Sequence, residues 1–140
     1  MTTARDIMSS DVTCVRSSQT ILEAARMMAA LDVGALPICG EDNRLHGMLT
    51  DRDIVVKVLA EGKDPMAVHA GDIAQGRPIT VGADDDAEII FSTMARHGVR
   101  RLPVIDGHDL VGIVAQADVA RAMPAPRVGE LLEALSSSSR

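Results

Sequence analysis

The sequence predicts an α/β (α+β) fold in which two pseudo-symmetric β-α-β-β-α repeats pack as one compact body, and three observations carry that prediction. The first is an internal repeat. At an offset of 66, Asp6-Ile7 falls on Asp72-Ile73, Val15 on Val81, Met28-Ala29 on Met94-Ala95, Val33 on Val99 and Leu36-Pro37 on Leu102-Pro103. One residue is then lost in a polar loop, and an offset of 65 puts Leu45 on Leu110, Gly47 on Gly112 and Asp53 on Asp118. The second is a change of hydrophobic period within each copy, from short β-branched runs to helical spacing and back. The third is size: a three-stranded sheet with two helices is too small to close its own core, so the copies must bury faces on each other.

The elements follow in order. Val12–Val15 and Pro78–Val81 read as strands, the proline at a strand start where a missing N–H is tolerated. Thr20-x-x-Glu23 has the form of a capping box, and Ile21, Ala24, Ala25, Met28 and Leu31 recur at helical spacing. In the second copy Asp84-Asp85-Asp86 stand where a helix N-terminus favours negative charge, ahead of Ala87–His97, and Gly98 suits the left-handed stop. Ala35–Cys39 and Arg101–Ile105 are compact apolar strands. The turn residues Glu41–Arg44 and Asp106–Asp109 lead from them into Leu45–Leu49 and Leu110–Val114, giving hairpins. Asp53–Ala60 and Asp118–Met123 close the copies as helices stopped by Gly62 and Pro124. A right-handed crossover makes the first two strands of each copy parallel neighbours.

The repeats then span 4–60 and 71–123, joined by a connector at 61–70. Beyond them, Val128, Leu131, Leu132 and Leu135 form an amphipathic turn or two, and Ser136–Arg140 are expected to be disordered.

Composition narrows the function. Of 140 residues 46% are apolar, yet with one Phe and no Tyr or Trp the core is aliphatic and offers no platform for stacked bases. Twenty acidic residues against 14 basic give a net charge of −6, which repels a phosphate backbone, so no nucleic-acid partner is expected. No apolar run reaches membrane-span length, and Arg5 and Asp6 stand where a signal peptide's apolar region would begin; a soluble, cytoplasmic protein without a membrane partner is expected. No nucleophile with an orienting base and no P-loop can be assembled, so catalysis is not expected. His46, His69, His97 and His108 lack metal-ligand spacing. Cys14 and Cys39 are too few for a disulfide scaffold and lack CxxC spacing.

The most informative stretch is Gly47-Met48-Leu49-Thr50-Asp51-Arg52-Asp53-Ile54, a strand running through a polar turn into a helix, with a weaker copy at Gly112–Val119 that has Ala115 where the first has Thr50. Thr50-x-x-Asp53 reads as a helix cap contributing about 1 kcal/mol. It is also a hydroxyl and a carboxylate presented together at a helix start.

The tandem β-α-β-β-α units, the Leu-Pro-Ile and Leu-Pro-Val strands and the Gly-x-x-Thr-x-x-Asp turn resemble a pair of CBS domains, the Bateman module, over about Ala4 to Met123. The resemblance implies a regulatory module that binds an adenosine-containing ligand such as AMP, ADP, ATP or S-adenosylmethionine in the cleft between repeats. It is of the stand-alone kind, with no attached effector in this chain and no cofactor required. By the same resemblance Thr50 contacts phosphate, Asp53 and Asp118 hold ribose hydroxyls, Arg100 and Arg101 face ligand phosphates, and Thr13, Pro37 and Pro103 complete the contacts. Ala115 departs from the pattern, leaving Thr50/Asp53 the better site. The arginine pair is otherwise a solvated basic patch, and if functional favours a phosphorylated ligand over S-adenosylmethionine. The implied fold sets the strands of Cys14 and Cys39 side by side, so these are either two thiols or a disulfide.

Two readings stay open: a nucleotide-sensing module signalling to a separate protein partner, and a ligand-free, stress-related interaction protein. Both predict a homodimer, with Ile21–Leu31 and Ala87–Met94 supplying part of its interface.

Overall fold

The computed structural model describes residues 2–74 and 78–136. In chain order these form α1 (Ala4–Ile7), β1 (Val15–Arg16), α2 (Ile21–Leu31), β2 (Ala35–Cys39), β3 (Leu45–Thr50) and α3 (Asp51–Asp53), which runs into a π-helical segment, Ile54–Leu59. There follow α4 (Ala70–Ile73), β4 (Val81–Gly82), α5 (Ala87–His97), β5 (Arg101–Asp106), β6 (Asp109–Ala115), α6 (Gln116–Ala122) and α7 (Ala125–Ser136). The predicted α+β class and the β-α-β-β-α order of each repeat are both present. The chain divides into two compact units, Thr13–Pro78, and Met1–Val12 together with Ile79–Arg140.

Each unit holds a three-stranded sheet, ordered β1-β2-β3 and β4-β5-β6. The first pair is parallel and the second antiparallel, as the crossover and hairpin rules require. The leading strands are shorter than expected: β1 pairs only Val15 with Ile38 and Arg16 with Cys39, and β4 only Val81 with Val104 and Gly82 with Ile105. Pro37 and Pro103 sit one residue before these ladders begin, opposite Met48 and Ile113 on the hairpin side. A proline in a central strand has no N–H to give, which accounts for a ladder that starts only after it.

In the Thr13–Pro78 unit Val15, Ile21, Ala24, Ile38, Leu49, Val58 and Ala70 are each fully buried in one aliphatic core. The capping box forms as read, with the Glu23 N–H donating to Thr20 Oγ1 at 3.1 Å. Asp32 ends α2 in the left-handed region at φ 54°. The helix predicted over Asp53–Ala60 is π-helical through Leu59: the Ala60 N–H donates to the Val55 carbonyl and the Lys63 N–H to that of Val58, each five residues back. The wider turn still buries Ile54 and Val58, and leaves Val55, Val56 and Leu59 exposed.

In the other unit Ile90, Met94, Leu102, Val104, Val114 and Val119 are fully buried, and Leu131 and Leu135 of α7 join the same core. Asp86 caps α5, its Oδ1 accepting the Ile89 N–H at 3.0 Å, and Gly98 closes it at φ 64°. α7 is three turns long, against the one or two expected, because its leucines have this core to cover. Ser136, expected to be disordered with the residues after it, is instead the last residue of α7, because the helix runs on past Leu135 to cover the core; residues 137–140 lie outside the described residues.

The repeated glycine of the turn motif has a structural reason in both units. A Cβ on Gly112 would stand 2.3 Å from Met8 Sδ and 2.9 Å from the Ser9 carbonyl oxygen, where the chain leaving α1 pairs with Ile113. A Cβ on Gly47 would stand 3.2 Å from Ala74 Cβ, just after α4. Each glycine therefore admits the short helix that precedes the other repeat. No described helix is long and apolar enough to cross a membrane.

Candidate functional site

The strongest constellation lies where β3 ends. Pairing of Thr50 with Ala35, and donation by the Asp51 N–H to the Gly34 carbonyl at 2.9 Å, fix the turn. Thr50 is extended, φ −110° and ψ 160°, as an N-cap must be. Its hydroxyl accepts the Asp53 N–H at 3.0 Å, and Asp53 Oδ2 accepts the Thr50 N–H at 3.0 Å. Lys57 Nζ stands 3.3 Å from Asp53 Oδ1, so both carboxylate oxygens have a partner. Burial pushes the Asp53 carboxyl up, but the Thr50 N–H and hydroxyl, joined by the Lys57 ammonium, outweigh it and hold the group below its ordinary value. At neutral pH the turn presents an ionised, half-buried carboxylate beside a hydroxyl.

The second turn keeps part of this. Asp118 Oδ2 accepts the Ala115 N–H at 2.8 Å, and Arg121 stands 2.5 Å from Oδ1, but no hydroxyl caps the helix. A shallow hollow of about 360 Å³ lies beside it, lined by Thr2, Asp6, Ile7, Asp118, Arg121 and Ala122. In both turns, then, one oxygen of the aspartate serves the backbone and the other a cation from the next helical turn. Lys57 and Arg121 were missed from sequence, although a base three or four residues after a helical acid is a readable signal.

The remaining expected site residues belong to both units. Arg100 is exposed and donates to two neutral oxygens, Gln116 Oε1 at 3.2 Å and the Leu135 carbonyl at 3.4 Å. Arg101 is exposed at the start of β5, and neither arginine has a carboxylate partner among the described residues. Thr13 is exposed ahead of β1, whereas Pro37 and Pro103 are buried at mid-strand.

Cys14 and Cys39 are joined in a disulfide, their α-carbons 5.8 Å apart. The bond ties the residue just before β1 to the end of β2, where the parallel ladder is only two residues long. Nearby, the Ser17 hydroxyl lies 3.0 Å from His46 Nδ1 and 3.3 Å from the Cys39 carbonyl.

The CBS-domain family pattern matches residues 4–60 and again 70–125. The chain is a tandem pair of CBS domains. This CBS pair is 50% identical to hypoxic response protein 1 of Mycobacterium tuberculosis over 137 residues, 98% of this chain and 96% of the relative. The crystal structure of hypoxic response protein I with two coordinated zinc ions matches with a TM-score of 0.82 at 54% identity, covering 88% of this chain and all of that one. The CBS domain pair of protein MJ0100, solved with 5'-methylthioadenosine and S-adenosyl-L-methionine, matches with a TM-score of 0.76 at 29% identity over 87% of this chain and 95% of that one. No three His, Cys, Asp or Glu side chains converge among the described residues, and both cysteines are in the disulfide.

Proposed function

We propose that this CBS pair is a non-enzymatic regulatory module that senses an adenosine-containing ligand of the AMP/ATP class and signals to a separate partner protein in the cytoplasm. The observation that carries the reading is the Thr50/Asp53 turn: an ionised carboxylate able to accept from vicinal ribose hydroxyls, next to a hydroxyl that can donate to phosphate. The ligands in the MJ0100 structure support an adenosine core. The unpaired charges of Arg100 and Arg101 favour a phosphorylated ligand over the cationic S-adenosylmethionine. Asp118 retains the ribose role alone. Thr13, Pro37 and Pro103 complete the proposed ligand contacts, Thr13 as an exposed residue and the two prolines as buried ones.

The test is thermal unfolding against AMP, ADP, ATP and S-adenosylmethionine. A ligand present at 100 times its Kd stabilises by about 2.7 kcal/mol. Asp53→Ala must lose the shift; an equal shift in that variant moves the site elsewhere.

A second reading is favoured by a specific observation: Asp53 and Asp118 already have internal partners on both oxygens. In that reading the CBS pair is a ligand-free interaction protein linked to stress, and no adenosine compound shifts its melting. Both readings include a homodimer. Leu31 and Val33 at the end of α2 and Val55, Val56 and Leu59 on the π-helical segment are exposed and suit that interface. Ala87–Met94 suits it less, because Phe91 and Met94 are buried and Arg127 of α7 lies over the Phe91 ring.

A further inference from the structure

α7 has no counterpart in the first repeat, and neither does Arg100, whose matched position is Gly34. The two features meet. Along α7, Leu131 and Leu135 are each 1% exposed and share a core with Phe91 and Met94 of α5. Arg127 lies 4.0 Å from the Phe91 ring centroid and 2.7 Å from Glu88 Oε2, clamping the start of α7 onto α5. The other end is held by Arg100, whose Nη2 donates to the Leu135 carbonyl, one of the carbonyls that a helix C-terminus leaves without an intrahelical donor.

The helix held this way is weak in itself. Gly129 sits at its middle, and a Cβ there would meet nothing within 4 Å. The glycine serves no close approach and only lowers helical propensity. Arg100, for its part, has two neutral acceptors and no carboxylate among the described residues. A guanidinium so placed exchanges a carbonyl for a phosphate readily, because the charge-assisted, bidentate bond is the stronger one.

We propose that α7 is a strap released by anion binding. A phosphate group engaging Arg100 draws the guanidinium off the Leu135 carbonyl, leaves the end of α7 uncapped and loosens its hold on α5. This rests on the reading that the ligand is a phosphorylated nucleotide, and it supplies a step from ligand binding to a partner protein. The surface altered on release is the face of α5 around Phe91.

The test is hydrogen–deuterium exchange on the full chain, with and without saturating AMP at matched ionic strength, binding being measured independently by calorimetry. AMP should speed exchange across 128–135 several-fold. Arg100→Gln should show the faster exchange without AMP and no further response, whereas Arg101→Gln should leave α7 exchange in the free protein unchanged. Gly129→Ala should slow α7 exchange and weaken AMP binding a few-fold. AMP bound by calorimetry with α7 exchange unaltered overturns the strap, as does an Arg100→Gln protein whose α7 exchanges like wild type. Should AMP not bind at all, the nucleotide reading falls and pyrophosphate replaces it as the anion: acceleration of α7 exchange by pyrophosphate sustains the strap, and no acceleration overturns it.

Discussion

Lys57 Nζ lies 3.3 Å from Asp53 Oδ1, one turn beyond the carboxylate whose other oxygen accepts the Thr50 N–H. This is the acidic group at the proposed site whose titration is clearly displaced by its surroundings, and it links the site to stability.

The Asp53 carboxyl is held below its ordinary value in the folded chain. Its contribution is therefore complete above the unfolded value of about 4 and is lost as pH falls through the lower folded value. Asp53→Asn should melt below wild type at pH 7, and the two melting curves should converge as pH drops below about 4. A gap that stays constant into strong acid would show that the charge is not what stabilises. Lys57→Met should cost under about 1 kcal/mol, because a pair with its ammonium 41% exposed is screened.

The caps of the two turns give a reciprocal pair of predictions. Ala115 has φ −106° and ψ 163°, nearly the backbone of Thr50, so Ala115→Thr can place a hydroxyl on the Asp118 N–H without strain. It should stabilise by roughly 0.5–1 kcal/mol in urea unfolding, and Thr50→Ala should destabilise by about 1 kcal/mol. A destabilising Ala115→Thr would mean that the second turn excludes a side chain for a reason other than capping.

Alanine at the motif glycines should act unequally. At Gly112 the added carbon meets the Met8 side chain at 2.3 Å and the rigid Ser9 backbone at 2.9 Å, so Gly112→Ala should cost about 2 kcal/mol or more. Gly47→Ala meets only a methyl group at 3.2 Å and should cost less. Equal urea midpoints for the two variants would refute the account of the glycines.

Disulfide reduction closes the series. Cys14 and Cys39 are separated by 25 residues, a loop whose release costs on the order of 3 kcal/mol by chain entropy. Protein purified without reductant should titrate no free thiol after denaturation, and dithiothreitol should lower its urea midpoint. Two reactive thiols per chain in that sample would remove the bond.

Most of the fold was legible because it is written twice. Ile21–Leu31 and Ala87–His97 agree with the helices observed, since a capping box opens the first, and an acidic start and a left-handed Gly98 bound the second; the left-handed Asp32 that ends the first carries no such signal in sequence. The π-helical turn at Ile54–Leu59 was not legible, because its apolar spacing also satisfies an α-helix. The short β1 and β4 escaped notice because β-branched runs mark strands without saying how far they pair. At the site, Thr50 and Asp53 could be read from local spacing alone. The engagement of Arg100 with Leu135 could not, since it joins residues 35 apart that only the packing of α7 brings together.

One consequence concerns the order in which the molecule is made. The Thr13–Pro78 unit is continuous, and its sheet can pair once Thr50 has been synthesised. The first twelve residues belong instead with the later unit: Ala4 and Arg5 donate to the Asp85 and Ala83 carbonyls and Ser9 exchanges backbone hydrogen bonds with Ile113, so α1 has nothing to dock on until the chain beyond the first unit has been made. Folding should accordingly proceed from the middle outward. Pulse-labelled refolding should protect the amides of β2 and β3 before that of Ser9; simultaneous protection would place both units in a single nucleus.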